Sequence, residues 1–189
     1  MASTDHPHAE RGSSICLIGY RGTGKTTVAQ ALAARLGWPT CDTDIDIVAS
    51  AGRSIAEIFA ADGEKSFRDR ETAAVMAALA EPGRVVSLGG GAVLREENRR
   101  ALAAATTRVV WLTAAAETIL TRLSADPATA EQRPNLTADG GLQEIRQVLA
   151  EREPIYRECA DLEVDTEGKD VARVVHEIIE RLGLEAQSG

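Results

Sequence analysis

Short apolar runs of β-compatible residues alternate along the chain with longer stretches in which apolar residues recur every three or four positions. The first run, Ser14 to Ile18, leads into Gly19, Gly22 and Gly24 and then a stretch from Lys25 to Leu36 closed by Gly37, which predicts strand, glycine loop and helix. Further short strands are predicted just before Asp42, from Arg84 to Leu88, from Arg108 to Leu112 and from Asp161 to Val164, with Ala-rich helical segments between them. Strands alternating with helices build a parallel sheet, so the pattern predicts an α/β fold. Ser54 and Glu57 make a capping box for a helix toward Ala60, Asp62-Gly63 predicts a turn, and Glu81-Pro82-Gly83 ends the helix that starts near Gly63. Pro154 is expected to end a late helix. From Ser124 to Leu136, with Pro127, Pro134 and small polar residues, the pattern breaks. Connections between packed helices usually take ~2 to 8 residues, so this longer segment reads as a lid or as a solvated surface loop.

Composition narrows the class of partner. The chain has 189 residues, 44% hydrophobic and 26% charged, an ordinary globular balance at single-domain length. One domain over residues 14–183 is expected, between a disordered tail (1–13) and a short C-terminal tail (184–189). With 21 basic against 29 acidic residues and a net charge of −8, the chain lacks a basic surplus for duplex DNA or an anionic membrane. No nucleic acid and no membrane are expected as partners; a small, locally bound anion is. No apolar run approaches the ~20 residues of a membrane span. The first dozen residues show neither the apolar core of a secretory signal nor the Arg-rich pattern of a transit peptide. Cys16, Cys41 and Cys159 are odd in number and form no C-x-x-C pair. A cytoplasmic monomer is the expectation.

The loop after the first strand carries the strongest chemistry. Gly19-Tyr20-Arg21-Gly22-Thr23-Gly24-Lys25-Thr26 matches G-x-x-x-x-G-K-[ST] in the strand-to-helix context that this phosphate loop requires. Its glycines let successive N–H groups turn toward phosphate oxygens, and the following helix adds its positive end. Lys25, read as an exposed loop side chain, is expected to reach the β and γ phosphates, and the Thr26 hydroxyl to ligate Mg²⁺. Lysine is rare here, with only Lys25, Lys65 and Lys169. The guanine-reading N-K-x-D motif of a regulatory GTPase is missing. The strands ending at Leu88 and Leu112 are followed by Gly89 and Thr113 rather than by the acidic residue of a motor ATPase.

Ligands of open parallel sheets bind beyond the carboxyl ends of the strands. After the second strand comes Asp42-Thr43-Asp44, two carboxylates that can divide a metal role from a hydroxyl-orienting one, or simply form a turn. After the third comes Gly89-Gly90-Gly91, which admits a ligand to bare backbone or serves as a flexible turn. His6, His8 and His176 form no cluster in the sequence, and Trp38, Trp111 and Phe59 read as core or pocket wall.

Taken in order, the phosphate loop, Asp42-Thr43-Asp44, Gly63-Glu64 with Ser66-Phe67-Arg68 and Glu71, and Ser87-Leu88-Gly89-Gly90-Gly91-Ala92 strongly resemble the shikimate kinase family. The similarity continues through Arg133-Pro134 and Arg152-x-Pro154-x-Tyr156 and runs from about Ile15 to Leu182. The resemblance implies a three-layer P-loop kinase fold: a five-stranded parallel sheet in the order 2-3-1-4-5, flanked by helices, with a mobile lid at about 124–136. It implies transfer of the γ-phosphoryl group of ATP to the 3-hydroxyl of shikimate, with Mg²⁺, on the route to aromatic amino acids. On the same resemblance Gly22, Thr23, Gly24, Lys25, Thr26 and Thr27 hold the nucleotide phosphates and Arg122 packs on the adenine. Thr26 and Asp42 serve the metal, and Asp44 contacts the shikimate hydroxyls. Arg68 and Arg152 hold the carboxylate beside the backbone of Gly89, Gly90 and Gly91. Arg133 arrives from the lid, to act with Lys25 and Asp44 in the transfer.

The chemistry of shikimate agrees: a carboxylate calls for a planar cationic fork and hydroxyls call for a carboxylate. Arg68 also has a plainer reading, ion pairing with Glu64 or Glu71 one helical turn away, and Arg152 has one with Glu151 or Glu153. Two other functions compete: another small-molecule kinase, such as a gluconate kinase, and a catalytically silent nucleotide-binding relative.

Overall fold

The computed structural model describes residues 13–125 and 141–185. Five strands, β1 (Ser14–Ile18), β2 (Thr40–Asp42), β3 (Val85–Ser87), β4 (Thr107–Thr113) and β5 (Leu162–Asp165), form one sheet in the order β2-β3-β1-β4-β5. Every pairing is parallel, with Cys16 opposite Val86 on one side of β1 and Val109 on the other. The helices are α1 (Lys25–Leu36), α2 (Thr43–Ala51), α3 (Ile55–Ala80), α4 (Glu96–Ala104), α5 (Ala116–Ala125), α6 (Gly141–Cys159) and α7 (Val171–Leu182). A 3₁₀ turn, Ala92–Leu94, follows the glycines after β3.

Alternation along β1 sorts the core into two layers. Ile15 and Leu17 pack with Val28 and Leu32 of α1 and Val174 and Ile178 of α7. Cys16 and Ile18 face the other way, onto Val75 of α3, Leu102 of α4 and Tyr156 of α6. Trp111 belongs to this second core, and Trp38 packs against the edge of the first. All five residues of β1 are buried, as a central strand covered on both faces must be.

The predicted strands are all present, and α1 begins and ends where the sequence places it, closed by Gly37 at φ 67°. Ser54 and Glu57 form the reciprocal capping box. At the predicted turn, Gly63 (φ 78°, ψ 169°) leaves the helical region, so α3 is two helical segments that meet at a kink. Pro154 does not end its helix: α6 runs through it to Cys159. Proline removes one backbone donor, but contacts on both sides of it carry the helix onward. Arg152 reaches the Gly90 carbonyl, and Tyr156 both bonds that carbonyl and stacks on Trp111. Helix α2 was not expected; it is short, β-branched at Ile45, Ile47 and Val48, and starts on an Asp that also reads as a turn. The expected tails lie wholly or largely outside the described residues, as do Arg133, Pro134 and the lid segment beyond Ala125. Among the described residues no helix is long and apolar enough to cross a membrane.

Candidate active site

The carboxyl ends of β1, β2 and β3 deliver three loops to one edge of the sheet. In the first, Gly19, Gly22 and Gly24 take positive φ (136°, 79° and 90°), a region costly to residues with a Cβ. A Cβ on Gly19 would collide with the Leu112 carbonyl. The loop closes on itself through the Thr23 hydroxyl, which donates to the Tyr20 carbonyl at 2.8 Å. Gly24 caps α1 with no side-chain hydrogen bond, and the first turn of that helix holds no acidic residue. Its N–H groups, Thr26 and Thr27 included, therefore present the positive end of the helix with no acidic residue of its own to offset it.

Lys25 departs from expectation. It is only 8% exposed, and its Nζ donates to the carbonyls of Gly19 and Tyr20, both at 2.9 Å. The loop curls around the ammonium, so Lys25 holds the loop's shape as well as supplying charge. Beside it the Thr26 hydroxyl donates to Asp42 Oδ2 at 2.6 Å. Asp42 is also the N-cap of α2, with Oδ1 accepting from the backbone of Asp44 (3.0 Å) and Ile45 (3.4 Å). A hydroxyl next to one carboxylate is the donor set from which Mg²⁺ takes a few protein ligands while keeping most of its waters. Arg122 donates to the hydroxyl and carbonyl of Thr166, at 2.9 and 3.0 Å, and to the Gly22 carbonyl at 3.4 Å. It thus joins α5, the phosphate loop and the turn after β5.

Next to the phosphate loop lies a cavity of about 480 Å³. Its lining combines apolar Ile55, Phe59, Phe67 and Leu94 with charged Arg21, Asp44, Arg68, Glu71 and Arg152. Phe59 is thus pocket wall. Both plain readings of Arg68 hold, for Nη1 contacts Glu71 at 2.7 Å and Nε contacts Glu64 at 3.4 Å. The partners differ: the Glu71 side chain is 1% exposed and that of Glu64 69%. Glu71 is the fixed partner and Glu64 the exchangeable one. Arg152 takes neither Glu151 nor Glu153 among its hydrogen bonds; Nη1 donates to the Gly90 carbonyl at 3.3 Å.

Two of the three glycines, Gly89 and Gly91, are spaces for these side chains. A Cβ on Gly89 would stand 2.7 Å from Asp44 Oδ1 and 2.9 Å from Glu71 Oε1, and one on Gly91 would overlap the Arg68 guanidinium. The Gly90 carbonyl accepts from Tyr156 at 2.6 Å, and burial pushes that phenol up to about 12, so it stays a donor near neutrality. Thr43 ties the ends of β2 and β3 together by accepting from the Gly89 N–H at 3.0 Å. Thr43, Ile55 and Leu94 were not singled out from the sequence, because a threonine after a strand and apolar residues on helices match ordinary packing.

Burial raises the Glu71 carboxyl above the usual glutamate value, with Arg68 opposing the shift. On acidification Glu71 therefore takes its proton at higher pH than an ordinary glutamate, and Arg68 loses its fixed acceptor first. The KM of an anionic substrate held by Arg68 is expected to rise as pH falls, from above the ordinary glutamate range, and Glu71→Gln should show a high KM without that limb. A pH titration of steady-state KM for both proteins checks this.

The family model for shikimate kinase matches residues 21–183. A shikimate kinase of Rhodopirellula baltica is 44% identical over 165 residues, covering 87% of this chain and 88% of the relative. A solved structure of the Acinetobacter baumannii shikimate kinase in complex with shikimate superposes with a TM-score of 0.84 at 32% identity, covering 92% of this chain and 94% of that one. A gluconokinase from Sinorhizobium meliloti, covering 92% and 93%, reaches a TM-score of 0.55 at 19% identity and shares the fold alone. With the family model matching residues 21–183 and a relative 44% identical over most of both chains, this chain belongs to the shikimate kinase family.

Proposed function

We propose a division of labour among these residues for the family's reaction, transfer of the γ-phosphoryl group of ATP to the 3-hydroxyl of shikimate. The observation that carries it is a single cavity in which Arg68 and Arg152 share walls with Asp44, beside the phosphate loop. The arginines hold the carboxylate, and the ring lies against Phe59 and Phe67. Asp44 accepts a hydrogen bond from the attacking hydroxyl and holds it in line with the phosphoryl group. The phosphate loop and Lys25 bind the nucleotide phosphates, Arg122 borders the nucleotide side, and Arg133 is the lid cation that stabilises the transferring group. Thr26 and Asp42 would hold Mg²⁺, which would neutralise charge developing during phosphoryl transfer. Three free cysteines, Cys16, Cys41 and Cys159, support a reducing, cytoplasmic setting, and the protein acts as a monomer in this reading.

The test is ATP consumption with shikimate, gluconate and nucleoside monophosphates offered in parallel, with Mg²⁺ present and then chelated. Turnover with shikimate alone, lost on chelation, is the expected result. Turnover with gluconate would favour the rival kinase, and none with any acceptor the silent relative.

Arg68→Ala is expected to raise the shikimate KM by roughly 10- to 150-fold, the range of a charge-assisted hydrogen bond, with ATP KM little changed. Arg68→Lys should recover part of the loss, since an ammonium lacks the planar fork. Wild type should discriminate strongly between shikimate and its neutral amide analogue. Equal discrimination by Arg68→Ala would remove Arg68 from the carboxylate site.

A further inference from the structure

Tyr20 and Arg21 occupy positions at which the phosphate-loop motif specifies no side chain, yet both side chains are fastened to α6. Tyr20 is buried in a cluster with Ile145 and Val148 of that helix. Arg21 Nη2 donates to Glu144 Oε1 at 3.0 Å, across 123 residues of sequence, and the Glu144 side chain is 1% exposed. Glu144, Val148, Arg152 and Tyr156 follow one another at intervals of four along α6, the spacing that keeps side chains near one face. Each makes a contact at the site: Glu144 with Arg21, Val148 with Tyr20, and Arg152 and Tyr156 with the Gly90 carbonyl. Tyr20 spans the interval, its ring facing the guanidinium of Arg21 at 5.7 Å and that of Arg152 at 5.9 Å. Helix α6 is therefore a bar clamped at one end to the phosphate loop and at the other to the glycine loop, with about 12 Å of helix between Glu144 and Arg152.

We propose that Arg21 and Glu144 are a positioning pair that sets the seat of α6 on the phosphate loop and thereby aims Arg152 at the substrate carboxylate. The inference rests on the reading that Arg152 holds that carboxylate. A charged pair in so buried a place gives orientation more than stability, because desolvation offsets much of its attraction. The hydrogen bond and the charges fix one register, whereas an apolar pair of equal volume would let the helix slide. Loss of the pair should thus appear in shikimate binding and spare ATP binding.

The test measures shikimate KM, ATP KM and thermal midpoint for R21M, E144M, R21M/E144M, R152M and R21M/R152M, against wild type. R21M and E144M are each expected to raise the shikimate KM roughly 5- to 20-fold, a range usual for the coupling of residues in direct contact, with ATP KM within about twofold. R21M/E144M removes both charges of the pair together and should melt closer to wild type than the worse of the single variants, yet keep their raised shikimate KM. R21M should add no more than about twofold to R152M, because it acts through that residue. Should a single variant fail to fold, R21M/E144M carries the comparison. A wild-type KM in R21M/E144M would show a merely structural pair and overturn the inference. So would a raised KM in R21M but not in E144M, which would mean direct contact of Arg21 with substrate, or full additivity with R152M. If R152M itself leaves shikimate KM unchanged, the carboxylate reading falls and the inference with it; if only R152M raises it, the inference falls alone.

Discussion

Replacing Lys25 by alanine should lower phosphoryl transfer by about 10³-fold or more in a protein that still folds. The expectation follows from where the charge develops: the transferring group is anionic throughout, and a fixed ammonium beside it acts in a site from which water is largely removed. The burial of Lys25 adds a structural consequence. With Nζ bonded to the Gly19 and Tyr20 carbonyls, alanine takes this donor from Gly19 while Tyr20 keeps the Thr23 hydroxyl, at a cost of about 1 to 3 kcal/mol. For a chain of this size that lowers the melting temperature by roughly 2 to 12 °C. Calorimetry and single-turnover transfer separate the two effects. Lys25→Met, which keeps much of the stem, should be as inactive as Lys25→Ala and more stable. A folded Lys25→Ala with near-normal turnover would remove Lys25 from the chemistry.

Asp44→Asn is expected to cut kcat by roughly 10²- to 10⁴-fold with little change in ATP KM, since the amide keeps the shape and loses the charge and basicity. Asp42→Asn should behave differently, because Asp42 already caps α2 and accepts from Thr26. Asparagine is also a good N-cap, so that variant should fold normally and need more Mg²⁺ for half-maximal rate. Measuring kcat across a Mg²⁺ titration distinguishes the two carboxylates. If Asp44→Asn keeps most of its kcat, or if excess Mg²⁺ rescues it, the roles have been assigned the wrong way round.

Local chemistry made much of this legible in advance. Strand β1 and helix α1 could be bounded from residues alone, because Gly37 closes the helix in a conformation that glycine adopts most readily and β1 alternates between two buried faces. The phosphate loop, Asp42, Asp44 and Arg68 were readable because each is either part of a motif or set at a strand end. Legibility failed wherever tertiary contact outweighed local preference. Pro154 signals a helix end, but Arg152 and Tyr156 hold the helix on both sides of it. Lys25 belongs to a loop and should be exposed, but the loop folds over it. The Arg21–Glu144 pair spans 123 residues and has no local signature, though the four-residue spacing from Glu144 to Tyr156 was there to be seen.

The glycines after β3 bear on inhibition and escape from it. Side chains at Gly89 and Gly91 would occupy space already filled by Asp44 and Arg68, the groups proposed to hold the substrate, and by Glu71, which fixes Arg68. Any replacement there must displace residues that the reaction needs. A small molecule that drew its affinity from the backbone of this segment would thus meet a surface the protein has little freedom to remodel. One leaning on Leu94, an apolar lining residue, would instead face a position to which no role in the reaction is assigned. Resistance should then arise through the apolar lining, and the glycine loop is the firmer place to anchor a ligand.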